Sequence, residues 1–168
     1  MAFTPTQNVL DTSPIEGNIL AFIAENQADA LLLANGSPLK PFNFIDANLA
    51  NKDAPGFPIL EVKGSKEAIP LTSDIVETVY QINFECGVAG KSAAELPAKT
   101  KKYAYALKLL LANIPADTLA AGIEAYTIAR AEGLEDDYGE LLTNDAETIF
   151  YQIFRITALY RLSASSYN

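Results

Sequence analysis

Residues 74–88 constrain the fold more than any other stretch. From Thr78 onward the chain alternates. Tyr80, Ile82, Phe84 and Cys86 fall on one side; Gln81, Asn83 and Glu85 fall on the other. A period of two, built from aromatic and β-branched residues, predicts a strand with one buried and one polar face. It is longer than most strands, so it needs neighbouring strands and a covering layer.

The rest of the chain is long enough to supply both. Its 168 residues suit one domain with its own core, taken here as residues 1–168. The net charge is −9, from 21 acids against 12 bases, which disfavours a sequence-independent nucleic-acid binder or an anionic membrane surface. It is compatible with a wall that DNA passes without sticking, because like charge repels phosphate. The chain has no histidine, which removes Ser-His-Asp and Cys-His nucleophile pairs, imidazole acid–base work and most zinc sites. The one cysteine, Cys86, lies on the apolar side of the long strand and reads as a small buried hydrophobe. No cofactor or metal is implied. The N-terminus lacks a basic start and apolar run, and the most apolar run, residues 28–34 broken by Asp29, is far too short to span a bilayer. The expected compartment is cytoplasm-like.

Residues 1–12 read as an irregular arm. Ser13-Pro14-Ile15-Glu16 is a helix start, with Ser13 as cap, Pro14 at the first helical position and Glu16 completing a capping box. Ile15, Ile19, Phe22, Ile23 and Ala30 keep helical spacing to about Ala34, where Asn35-Gly36 stops it; Asn26-Gln27 marks a potential break. Residues 36–56 form a long loop rich in proline and asparagine, with Phe42-Asn43-Phe44-Ile45 as a short strand or an anchored loop. A short strand enters through Phe57-Pro58 and covers Ile59-Leu60-Glu61-Val62-Lys63; Gly64-Ser65-Lys66 reads as a turn. Residues 67–71 then extend a hairpin into the long strand.

Ser92-Ala93-Ala94-Glu95 is a second capping box, with Pro97 placing the true helix start near Leu96. Tyr103, Leu107, Leu110 and Ile114 share one helical face, Lys99, Lys101, Lys102 and Lys108 lie on the solvated remainder, and Pro115 stops the helix. Residues 123–131 alternate as a third strand, with either Ile123, Ala125, Thr127 and Ala129 or Tyr126 and Ile128 facing in. Residues 133–145 carry Glu135, Asp136, Asp137, Glu140 and Asp145 and read as a solvated acidic loop or short helix; the spacing is not that of an EF-hand. Residues 148–162 make another long strand. Phe150, Phe154, Ile156, Ala158, Tyr160 and Leu162 share its apolar parity; Tyr151, Ile153, Arg155, Thr157, Leu159 and Arg161 share the mixed one. The order predicts an α+β domain: a mixed or antiparallel sheet of about four strands with two helices packed on one face. The helix after the long strand is long enough for a parallel crossover.

This order resembles the phage tail terminator (gpU-like, tail-completion) proteins. Four parts carry the resemblance across roughly residues 14–162. They are Phe57-Pro58-Ile59-Leu60-Glu61-Val62 as first strand, Thr78-Val79-Tyr80-Gln81-Ile82-Asn83-Phe84 as long second strand, Lys99-Thr100-Lys101-Lys102-Tyr103-Ala104-Tyr105-Ala106-Leu107 as helix, and residues 151–162 as closing strand. The long loop 36–56 departs from the compact members of that family. The resemblance implies a non-enzymatic virion protein of the tail and neck. It would form a hexameric ring that caps the tail tube, ends tube polymerisation and joins tail to neck, with DNA passing through the lumen. Its partners would be copies of itself, tail tube protein and a neck or connector protein, with no membrane. A ring of identical subunits needs a heterologous interface that closes. The polar strand faces are the lumen or interface candidates: Gln81, Asn83, Glu85, Glu124, Arg130, Arg155 and Arg161.

Two other readings compete. One is a different head–tail connector or neck subunit. The other is a carboxylate-based enzyme, using Glu85 with Glu124 if their strands pair, or an acidic metal site at Asp136, Asp137 and Glu140.

Overall fold

A computed structural model describes residues 2–5, 9–45, 57–71, 75–123, 128–143 and 149–165. The elements are α1 (Ile15–Asn35), β1 (Asn43–Ile45), β2 (Ile59–Ala68), β3 (Ile75–Gly90), α2 (Leu96–Ala112), α3 (Ala116–Leu119), β4 (Ile128–Thr143) and β5 (Phe150–Ser165). The fold is α+β. The sheet has five strands among the described residues, in the order β1-β2-β3-β5-β4. It is mixed because β1 runs parallel to β2; every other pairing is antiparallel. β3 and β4 run the same way, as a crossover through α2 requires, but β5 lies between them.

The two long strands behave as their alternation dictates. Tyr80, Ile82, Phe84, Cys86 and Val88 of β3 are buried, and so are Phe154, Ile156, Ala158, Tyr160 and Leu162 of β5. Cross-strand register aligns these two sets row by row, from Tyr80 opposite Tyr160 to Cys86 opposite Phe154. α2 lies over them with Tyr103, Leu107, Leu110 and Ile114 of its predicted face buried, and α1 packs beside α2 with Ile15, Ile19, Ile23 and Leu31. Burying side chains of this size contributes about 1.5–3 kcal/mol each before entropy is subtracted.

α1 is unbroken through Asn26, whose side chain donates to the Phe22 carbonyl at 2.9 Å. It stops at Gly36, which takes a left-handed φ of 75° and returns its N–H to the Leu32 carbonyl. The predicted Ser13 capping box does not form. Instead the Ile15 N–H bonds the Thr12 carbonyl, and the Ser13 N–H bonds the Asp11 carboxylate, a bond that holds the Asp11 carboxyl below its ordinary range. Phe42 and β1 are anchored: the Phe42 N–H meets Gln27 Oε1 at 2.8 Å, its ring lies edge-on to Tyr103, and the Tyr103 hydroxyl donates to the Lys40 carbonyl. The remainder of loop 36–56 beyond Ile45 and the arm residues 6–8 lie outside the described residues.

Three expectations are corrected. Gly64-Ser65-Lys66 is not a turn; β2 continues through a register shift at Val62/Gly64 and pairs with β3 as far as Ala68. The bulge absorbs the glycine without ending the strand. Residues 133–143 are neither loop nor helix but the second half of β4, paired along β5. Cross-strand packing there outweighs the poor strand propensity of Asp, Glu and Gly. The helix count rises by α3, which caps its own short turn after Pro115.

Candidate functional site

The helices cover one face of the sheet, and among the described residues no element lies on the other, the open face. On it, successive rows across the sheet read Glu77–Ser163, Val79–Arg161, Gln81–Leu159, Asn83–Thr157, Glu85–Arg155, Gly87–Ile153 and Ala89–Tyr151. Alternation alone places Gln81, Asn83, Glu85, Arg155 and Arg161 together here, and register adds Arg130 opposite Arg161. Six of the seven predicted residues therefore share this face. The seventh, Glu124, lies outside the described residues.

The charges on this face are largely neutralised within it. Glu85 accepts from Arg155 Nε at 3.0 Å, and its other oxygen lies 3.8 Å from Lys63. Lys63 also pairs with Glu61 at 3.0 Å, and that hydrogen bond raises the Lys63 pKa. Arg161 spans the sheet: Nε donates to both oxygens of Glu132 at 2.8 and 2.9 Å, and its guanidinium also pairs with Glu77. Between these clusters, Thr157 donates to Asn83 Oδ1 at 2.9 Å and Gln81 Nε2 donates to the same oxygen at 3.3 Å. Opposite-charge pairs of this kind fix register and face more than they add stability.

One end of the face is apolar. Phe57 stacks with Tyr151 at a centroid distance of 6.0 Å, and Ile59 and Ile153 flank them. The four line a shallow hollow of about 220 Å³ with Glu61 and Glu85 on its rim. Gly87 is the floor. A Cβ there would stand 3.1 Å from the Phe57 ring, so the missing side chain lets the ring lie down on the strand. Sequence reading missed this hollow. Its signal was the aromatic and aliphatic share of the mixed parity, Tyr151 and Ile153, beside Phe57.

The strand pairing that the Glu85–Glu124 reading requires is absent among the described residues, and Glu124 itself lies outside them. Glu85 is on β3 and Glu124 precedes β4, and those two strands do not pair because β5 separates them. Asp136 and Asp137 are consecutive strand residues and so point to opposite faces: Asp137 lies opposite Arg155 on the open face, Asp136 opposite the buried Ile156. Among the described residues no group of three His, Cys, Asp or Glu side chains is placed to hold a metal ion. Asp136 instead accepts from Lys108 of α2 at 2.6 Å and from the Tyr138 hydroxyl at 3.2 Å.

The Lys108–Asp136 pair carries a pH prediction. Its hydrogen bond holds the Asp136 carboxyl below the ordinary 3.8 and the Lys108 ammonium above the ordinary 10.5. A depressed carboxylate contributes stability above its unfolded value and loses it as pH falls through the folded one; a raised ammonium contributes below its unfolded value and loses it as pH rises. Asp136→Asn should therefore cost about 0.5 kcal/mol across the neutral range, since both partners are about a third exposed. The difference from the parent protein should vanish in acid, below the depressed value. Urea melts at neutral pH and in acid would check it; an equal cost at both would refute the linkage.

No helix among the described residues is long and apolar enough to cross a membrane. In comparison with known proteins, no family model and no curated protein matches this chain.

Proposed function

We propose that this chain is a structural virion subunit of the tail terminator kind. Copies assemble into a ring, hexameric by the resemblance, that caps the phage tail tube, stops its growth and joins tail to neck. It acts without catalysis or cofactor, and DNA passes through the ring without specific binding. It is built in the host cytoplasm and ends in the virion. The observation that carries the reading is the open sheet face: a many-stranded surface whose charges are largely paired side to side, with an apolar hollow at one end. A catalytic pocket is concave and brings unpaired polar groups together. A surface with internally compensated charge and a small apolar patch suits a packed protein interface better. The element order supports the same reading, with a helix ahead of the strand pair, a helix across the sheet and a long closing strand paired on both sides.

The test is polymerisation of tail tube protein with and without this chain. Tubes should stay short and end in a visible cap when the chain is present. Unchanged tube length, with no density at tube ends in negative stain, would reject the proposal. Capture by a portal or adaptor protein rather than by tube would favour a neck or connector subunit instead.

A further inference from the structure

We propose that one copy of this chain joins the next by strand pairing, with the outer edge of β4 in one copy meeting the outer edge of β2 in its neighbour. The inference rests on the ring reading above and names its joint. Among the described residues, β4 residues 133–138 and β2 residues 62–68 each have a partner strand on one side only. β4 closes one end of the sheet. β2 has β1 beyond it only at residues 59–61, so residues 62–68 have no outer partner strand among the described residues. A long edge of this kind is a template for another strand.

Strand directions fit a ring. β3 is antiparallel to β2 and to β5, and β5 is antiparallel to β4, so β4 and β2 run in opposite senses. In a cyclic ring every copy keeps the same direction along the axis. A β4 edge that meets the next copy's β2 edge therefore meets it antiparallel, and the sheet continues without a reversal. The bulges set the longest regular run on each edge beyond the part of β2 that β1 covers. On β4 it is residues 133–138, between the shifts at Ala131/Gly133 and Tyr138/Leu141; on β2 it is residues 64–68, after the shift at Val62/Gly64.

Charge selects this join over the alternative. β4 carries Glu132, Glu135, Asp136, Asp137 and Glu140 against Arg130. Glu132 and Asp136 are paired with Arg161 and Lys108 within the chain, and two β4 edges paired about a two-fold axis would set Glu135, Asp137 and Glu140 against their copies, which is destabilising. The run 64–68 of β2 carries Lys66 and Glu67; Lys63 lies in the bulge and is paired with Glu61 and Glu85. The rows through the sheet are Lys66–Gln81–Leu159–Gly133 and Gly64–Asn83–Thr157–Glu135, so Lys66 and Glu135 lie two residues apart in height, on the same sheet face, and a two-residue shift between neighbouring copies sets them opposite one another. Both side chains are exposed. The acids that keep β4 from pairing with itself leave the charge-balanced β2 edge, with Lys66 exposed on it, as the better partner.

The test uses the full chain carrying Lys66→Cys and Glu135→Cys. Cys86 is buried and does not compete. Mild oxidation should give a ladder of covalent oligomers that stops at the ring number, and neither single variant should give it. If the double cysteine variant does not fold, charge exchange serves. Lys66→Glu and Glu135→Lys should each weaken self-association roughly three- to fivefold, and the two together should restore it. Rings in negative stain with no ladder, or with no response to charge exchange, would overturn the edge joint while leaving the ring. Absence of any oligomer, alone or on tube ends, would overturn both.

Discussion

Replacing Phe154 with alanine is expected to lower the unfolding free energy by about 3–5 kcal/mol. Phe154 sits on β5, an interior strand paired on both sides, with no exposure. It lies opposite Cys86 on β3 and opposite Tyr138 on β4, whose ring is 6.3 Å away. The cavity would open where three strands share one row, and strands held by ladders on both sides cannot collapse to fill it. The loss thus includes the transfer of the ring and a cavity penalty. Leu33→Ala is the control. Leu33 is 76% exposed on α1, and its loss should stay within about 0.5 kcal/mol. Chemical denaturation of both variants checks the pair. Equal small losses would mean that the β3–β5–β4 row is not the core.

Tyr160→Phe should cost about 1–2 kcal/mol, a large effect for the loss of one oxygen. The Tyr160 hydroxyl is buried and donates to the Leu111 carbonyl at 2.7 Å. Leu111 is in the last turn of α2, where carbonyls have no partner within the helix. The sheet thereby supplies a cap to the helix from below, and phenylalanine would leave that carbonyl buried and unpaired. Burial pushes the phenol pKa up from 10.0. A raised value stabilises the fold below the unfolded value and fades as pH climbs towards the folded one. The gap between parent and variant should therefore narrow above about pH 10. A gap that stays constant to high pH would show that the hydroxyl is not held protonated by the fold.

What the sequence made legible was whatever depended on strict periodicity. The alternation of Tyr80, Ile82, Phe84 and Cys86 named the buried face, and the same rule put Gln81, Asn83 and Glu85 on the open one. The spacing of Tyr103, Leu107, Leu110 and Ile114 named the packing face of α2. Segments whose local chemistry opposes their final state were hidden. β4 beyond Gly133 is acidic and glycine-containing, and only its pairing with β5 makes it a strand. Gly64 reads as a turn because glycine usually marks one, yet a bulge can absorb it within β2. The three residues of β1 hold their place through Gln27 and Tyr103, contacts that no local pattern announces. At the candidate site, parity found the charged members, while the Phe57–Tyr151 stack over Gly87 joins β3, β5 and the segment ahead of β2 and had no local signature.

The central claim is that this chain closes on copies of itself into a ring. Its most direct test is the molar mass of the purified protein by light scattering, alone and mixed with tail tube protein, with negative-stain images of each peak. A mass at one fixed multiple of the 18.1 kDa chain, with closed rings in free solution or at tube ends, is the expected result. A monomer in both samples, with bare tube ends, would contradict it.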